Sequence, residues 1–259
     1  MKVLKSFCVA FAMYSKIPMP NFNWKKENME YALCFFPFVG IIIGILNIIW
    51  FVYAKNYVSE LMWISVGVLI PLIISGGIHM DGYMDVMDAL HSYGDRKKKL
   101  EILKDPHIGA FAVINMLIYY VLYFAGYSQI HHTRAMIVLG AGFYLSRILS
   151  GLSAVVYKGA KKEGMLYEFT SKAALNTVRV SLIIQLIICV VVLMVSDVVV
   201  GGSVLIASAL VFVYVYILCN REFGGVTGDT CGFLSSIVEL ITVLIAGLLS
   251  GFSYMGIRL

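Results

Sequence analysis

Asp81, Asp85 and Asp88, in the run HMDGYMDVMDAL, are spaced i, i+4, i+7. At about 100° per residue, a helix brings all three within about 60° of one face. Carboxylates on one stripe repel one another and destabilise the helix unless something neutralises them. A hard divalent cation does so: oxygen ligands, with positions left for water and phosphate oxygens, describe Mg²⁺. An ion held this way clamps a pyrophosphate and polarises it for attack. The alternative is a solvated acidic face paired with Arg96–Lys99. Met80, Met84, Val86 and Met87 argue against it, because they make the element half apolar and therefore packed. Gly76 and Gly77 stand where a preceding apolar helix would end, and Gly82 permits close approach of backbone or ligand.

Other residues fall near this stripe or share its predicted side. His79 lies just ahead of it. Mg²⁺ disfavours imidazole, so the functional reading of His79 is phosphate binding or proton shuttling, against a hydrogen-bonded structural role. The run NREFGGVTGDTCG, Asn220 to Gly232, sets Thr227, Asp229 and Thr230 among glycines before a final apolar stretch. Backbone N–H groups at such a helix start favour anions, and Asp229 offers a further metal ligand. Two charges fall inside apolar runs, Arg147 in FYLSRILSG and Glu239 in SSIVELITV. Intramembrane charges are costly and functional by default. Both lie roughly 12–15 Å from the same ends of their helices, so they pair with each other, or Arg147 reaches a substrate phosphate. Lys104 precedes DPHIGAF at a predicted membrane re-entry point and is a candidate phosphate contact, whereas Lys97, Lys98 and Lys99 read as orientation determinants.

The elements that must position these groups follow from composition. The chain has 259 residues, 60% hydrophobic and 14% charged, with a mean hydropathy of +0.88. A soluble domain carries about 25% charged residues, so lipid must be the solvent for much of this surface. The expected architecture is all-α, a polytopic transmembrane bundle forming one integral membrane domain over residues 1–259, because helices satisfy their own backbone in lipid. Seven spans are predicted: Cys34–Ala54, Val58–Ser75, Ile108–Tyr127, Met136–Tyr157, Val178–Val200, Ser203–Cys219 and Cys231–Tyr254. The N-terminal MKVLKSFCVAFAMYSKIPMP has lysines before a short apolar run but no small-residue cleavage site, and reads as a retained interfacial or re-entrant segment. Cys8, Cys34, Cys189, Cys219 and Cys231 lack metal or redox spacing and read as small hydrophobes.

Loop charges alternate. Lys2, Lys5, Lys16, Lys25 and Lys26 precede the first span; Arg96–Lys99 and Lys104 fall between the second and third; Lys158, Lys161, Lys162 and Lys172 fall between the fourth and fifth. The intervening loops hold only Lys55 or Arg134, or no cation. Cytoplasmic loops carry the excess of Lys and Arg. The N-terminus, the Ser75–Phe111 loop, the Lys158–Thr177 loop and the Asn220–Thr230 loop are therefore expected on the cytoplasmic side, with the C-terminus outside.

In order and spacing, GGIHMDGYMDVMDAL, RKKKLEILKDPHIGAF and GGVTGDTCG resemble the cobalamin synthase family, the adenosylcobinamide-GDP ribazoletransferases. YSKIPMP and CFFPFVGIIIG are also similar to its N-terminal pattern, so the resemblance covers nearly the whole chain. It implies a multi-pass enzyme of the cell membrane that needs Mg²⁺. The implied reaction joins adenosylcobinamide-GDP to α-ribazole or its 5′-phosphate, giving cobalamin or its phosphate and releasing GMP. Carried over by position, Asp81, Asp85 and Asp88 match the acidic motif, Lys104 and Asp105 its downstream part, and Asp229 the Gly-Asp-Thr turn. On this reading Asp81 and Asp85 bind the ion, Asp88 is a further ligand or the general base, and Asp229 adds to the metal set. His79, Lys104, Asp105, Arg147 and Asp229 contact substrate. His107 and Cys231 depart from the expected arginine and aliphatic residue. The partners implied are those two substrates and the bilayer, with no nucleic acid; a homo-oligomer stays open.

Two alternatives use similar devices. Phosphatidyltransferases and prenyltransferases bind diphosphates with aspartates and Mg²⁺, but the Ala-Arg pair of the first and the second Asp-rich motif of the other are not found here. A transporter would use Arg147 and Glu239 to line an ion path; the missing repeat and the loop location of the acidic motif oppose it.

Overall fold

The computed structural model describes residues 2–20, 26–161 and 163–254; Lys25 and Lys162 of the charge count fall outside the described residues. The architecture is all-helical, and among the described residues the only extended pairing is a single bridge between Gly159 and Val226.

Helix α1 (Lys2–Tyr14) is followed by one short turn, α2 (Lys26–Met29). At 1.5 Å per residue the 13 residues of α1 reach roughly 20 Å, short of a bilayer core of about 30 Å. Ser6, Cys8, Val9, Ala10 and Phe11 are buried, so α1 is a packed non-spanning segment. The spans follow: α3 (Ala32–Ala54) and α4 (Glu60–Ser75), then, after the loop elements α5 (Ile78–His91) and α6 (Arg96–Ile102), α7 (Ala110–Ser128) and α8 (Thr133–Val156). Short α9 (Met165–Lys172) leads to α10 (Leu175–Ser196) and α11 (Val198–Leu218); a π-helical turn, Cys219–Phe223, precedes α12 (Gly228–Tyr254). Among the described residues six helices are long and apolar enough to cross a membrane, and the bent α4–α5 pair, counted as one span, makes seven.

The bend is decisive for the site. Gly76 and Gly77 take positive φ, 66° and 82°, which side chains rarely adopt, and α5 leaves α4 at 91°. Helix α5 therefore turns sharply away from the direction of α4 and packs against α12 and α7.

One expected junction is corrected. The break predicted after Val200, at the Gly201–Gly202 pair, lies instead at Asp197. The Asp197 carboxylate accepts hydrogen bonds from the Val199 and Val200 N–H groups at 3.0 and 2.9 Å, capping α11. Gly201 is inside that helix, packed so closely on Leu193 that a Cβ would strike its carbonyl oxygen.

Helix α8 is the centre, with most of its residues from Ala135 to Val155 buried against α3, α10 and α12. Its approach to α3 is backbone to backbone: a Cβ on Gly44 would come within 2.6 Å of the Gly140 carbonyl oxygen, the small-residue contact that brings spans together in lipid. Inside, Arg147 of α8 pairs with Glu239 of α12 and also donates to Ser146 Oγ. The five cysteines are free and buried.

The polar loops converge at one end. Arg96 donates to the Asn220 and Arg221 carbonyl oxygens at 3.1 and 3.2 Å, and Lys99 pairs with Glu222 at 2.5 Å. Lys161 Nζ reaches the Leu100 carbonyl oxygen at 3.3 Å, and the 158–160 backbone exchanges hydrogen bonds with Val226. The loops predicted to share a side therefore do share one end of the bundle.

Candidate active site

Helix α12 begins with a reciprocal cap. Thr230 N–H donates to Thr227 Oγ1 at 3.2 Å, and Thr230 Oγ1 accepts from Thr227 N–H at 2.8 Å. Thr227 Oγ1 also donates to Asp229 Oδ2 at 3.2 Å, which orients the carboxylate in the first turn, where the helix dipole favours negative charge. Opposite stands Gly82 of α5. A Cβ there would lie 2.7 Å from the Asp229 carbonyl oxygen, so only glycine lets the acidic face of α5 close on this turn.

The consequence is electrostatic. Asp85 is half-buried, and its carboxyl is pushed up to about 7, first by burial and then by the charges of Asp81, Asp229 and Asp88. Among the described residues no three His, Cys, Asp or Glu groups are gathered closely enough to cage a metal ion. Mg²⁺ takes one or two protein carboxylates and completes its shell with water and substrate phosphates. Asp81 and Asp229 line one cavity together and are two oxygen-donor carboxylates of the kind that ion accepts.

Two cavities meet here. The larger, ≈ 790 Å³, is bordered by Lys104, Lys158, Lys161 and Arg179, with Glu163 and Asp229 as its acidic members. The smaller, ≈ 220 Å³, is bordered by Tyr14, Phe36, His79, Asp81, Ser150 and Asp229, among others. His79 is buried on the wall of this second space, and neither ring nitrogen has a protein partner. Both nitrogens are buried and unpartnered.

Several expected site residues are placed otherwise. Both Asp88 oxygens accept backbone N–H groups, from Gly109 at 2.6 Å and Ala112 at 2.8 Å, so this carboxylate caps the start of α7. Asp105 is exposed and holds the His107 N–H at 3.0 Å and its ring Nδ1 at 2.6 Å, which keeps its carboxyl below the usual range. Arg147 is 1% exposed and spent on Glu239 inside the bundle, bordering neither cavity, because a charge at that depth needs an internal partner. Lys104 borders the large cavity but pairs with exposed Glu163 at 2.6 Å.

Sequence reasoning missed Tyr14, Phe36, Arg179 and the cavity role of Lys158 and Lys161. In sequence the two lysines carry only the signal of orientation charges. Arg179 carried a usable signal as an isolated cation at the start of an apolar run; its guanidinium grips the Val155 carbonyl oxygen at 2.7 and 3.1 Å.

Known proteins match most of this chain. The family model CobS, cobalamin-5-phosphate synthase, matches residues 6–247. The chain belongs to this family. Adenosylcobinamide-GDP ribazoletransferase of Lachnoclostridium phytofermentans is 40% identical over 247 residues, 94% of each chain. The protein of that name from Clostridium perfringens strain SM101 is 31% identical over 95% of this chain and 98% of its own. The one from Fusobacterium nucleatum is 27% identical over 93% and 96%. No solved structure matches. Membership in CobS sets the cavities and carboxylates in an enzyme of cobalamin biosynthesis.

Proposed function

We propose that this CobS protein joins adenosylcobinamide-GDP to α-ribazole or its 5′-phosphate in an Mg²⁺-dependent reaction that releases GMP. The observation that carries the reading is a cavity walled by Lys104, Lys158, Lys161 and Arg179 that ends on Asp229, with Asp81 and Asp85 beside it. Four cations suit a nucleotide diphosphate. Carboxylates at the same spot would repel that diphosphate unless a metal ion stood between them.

Asp81 and Asp229, which border one cavity together, would hold the ion, with water and substrate phosphate completing its shell. When bound, Mg²⁺ neutralises the phosphate oxygens, where charge develops during transfer. The chain's own groups do the rest. The lysines and Arg179 orient the diphosphate, and the Thr227 hydroxyl fixes the rotamer of Asp229. Asp85, pushed up to about 7, has a proton affinity matched to taking the ribose hydroxyl proton near neutral pH. Asp88 contributes indirectly by tying α5 to the start of α7. The lysine-rich loops gathered around the site support an orientation with it and the N-terminus on the cytoplasmic face of the cell membrane.

The test is GMP release by purified full-length protein given adenosylcobinamide-GDP, α-ribazole and Mg²⁺. Release that stops with EDTA and returns on adding Mg²⁺ is expected. No GMP from that mixture would overturn the reading.

A further inference from the structure

The two cavities differ in chemistry and share one wall. Ala154, Leu166, Gly228 and Asp229 border both. On the ≈ 220 Å³ side, the Tyr14 and Phe36 rings lie 4.2 Å apart between centroids and Phe36 and His79 5.6 Å, forming a continuous aromatic face backed by Met13 and Leu33. Among the described residues no lysine or arginine borders this space. It is smaller than the roughly 300–1,000 Å³ usual for whole small-molecule sites, so it suits a flat ring group and not a nucleotide diphosphate. The ≈ 790 Å³ side has the opposite character, with four cations and little aromatic surface beyond Tyr157 and Tyr167.

Resting on the function proposed above, we infer that the cavities divide the substrates. The aromatic chamber takes the base of α-ribazole, the basic chamber takes the nucleotide diphosphate of the donor, and transfer occurs across the wall at Gly228–Asp229. Phosphoryl transfer requires the attacking and leaving oxygens to be roughly in line on opposite sides of phosphorus. Two chambers sharing a wall at Asp229 bring acceptor and donor together at one carboxylate. In the step itself, the ribose hydroxyl oxygen bonds to the phosphorus that carries the cobinamide arm. The bond from this phosphorus to the bridging oxygen breaks, its electron pair leaves with GMP, and the hydroxyl proton passes to a site carboxylate. Tyr14 and Phe36 thus select the acceptor, while Lys158 and Lys161 select the donor.

The division is tested with full-length enzyme in proteoliposomes, reading the KM of each substrate by GMP release and α-ribazole binding alone by calorimetry. Phe36→Leu and, separately, Tyr14→Leu keep apolar bulk but remove a ring. Each is expected to raise the α-ribazole KM about tenfold, weaken its calorimetric binding equally, and leave the donor KM within about twofold. The double variant Lys158→Gln/Lys161→Gln is expected to raise the donor KM about tenfold and leave α-ribazole binding unchanged. Ring variants that raise only the donor KM, or both sets raising both KM values alike, would overturn the division while the reaction stands. Wild-type enzyme that binds α-ribazole but releases no GMP would instead defeat the underlying activity.

Discussion

Arg147 and Glu239 lie between α8 and α12, 1% and 7% exposed, and each answers the other's charge. Asp85, at the end of the same bundle, is half-buried too, yet the charges that act on it are all carboxylates: Asp81, Asp229 and Asp88. Both arrangements put ions into an apolar protein. In one the chain closes the electrostatic problem itself, and the result is a helix-packing device. In the other the chain leaves it open at the mouth of a basic cavity, which is how a fold prepares for an ion and a phosphate that arrive from outside.

The inner pair should therefore govern stability. Arg147→Met leaves Glu239 buried without a partner, and the expected loss is about 3–5 kcal/mol, read as a lower unfolding temperature in detergent. The double variant Arg147→Met/Glu239→Leu should recover most of it. If both proteins release GMP at the wild-type rate per folded molecule, the pair is structural; a selective activity loss in the stable double variant would break the contrast.

The outer carboxylates should show the reverse. Asp81→Asn and Asp229→Asn keep the shape of each side chain but remove its charge. Each is expected to lower GMP release by about 10²–10³-fold while unfolding temperature holds or rises. A parallel fall in stability and activity would merge the two regions into one structural class.

Asp88 sharpens the comparison because it belongs to the acidic stripe and yet behaves like a cap. Asp88→Ala should cost about 1–2 kcal/mol by freeing the Gly109 and Ala112 N–H groups. Asp88→Asn, which retains an acceptor oxygen, should recover part of the stability and most of the activity. Loss of all activity in a stable Asp88→Asn protein would return the residue to the catalytic set.

These contrasts were unevenly legible in sequence. The spans stood out because 18 or more apolar residues have few other uses, and the depth count already put Arg147 level with Glu239. The stripe of Asp81, Asp85 and Asp88 was visible from spacing alone. Its division of labour was not, because the Asp88 partners are amides 21 and 24 residues away, brought there by the return of α7. The Asp197 junction was misplaced for a related reason. A glycine pair signals a turn, but here Gly201 serves close packing, and a single carboxylate makes the cap. Tyr14 and Phe36 were hidden because an aromatic in an apolar run looks like core until a cavity opens beside it.

The smallest effect concerns pH. The Asp85 carboxyl is raised from an unfolded value near 3.8 to about 7, so the folded protein binds its proton more tightly. Stability from this source is fully present below about pH 4 and is lost as pH rises toward and through about 7. Metal-free wild type should thus show a lower unfolding temperature at pH 8 than at pH 5.5, and Asp85→Asn should reduce that difference, since it has no proton to lose. Added Mg²⁺ should raise the pH 8 value of wild type more than that of the variant. An identical pH dependence in both proteins would mean that Asp85 is not the strained carboxylate, and the open electrostatic problem would have to reside in Asp81 and Asp229 alone.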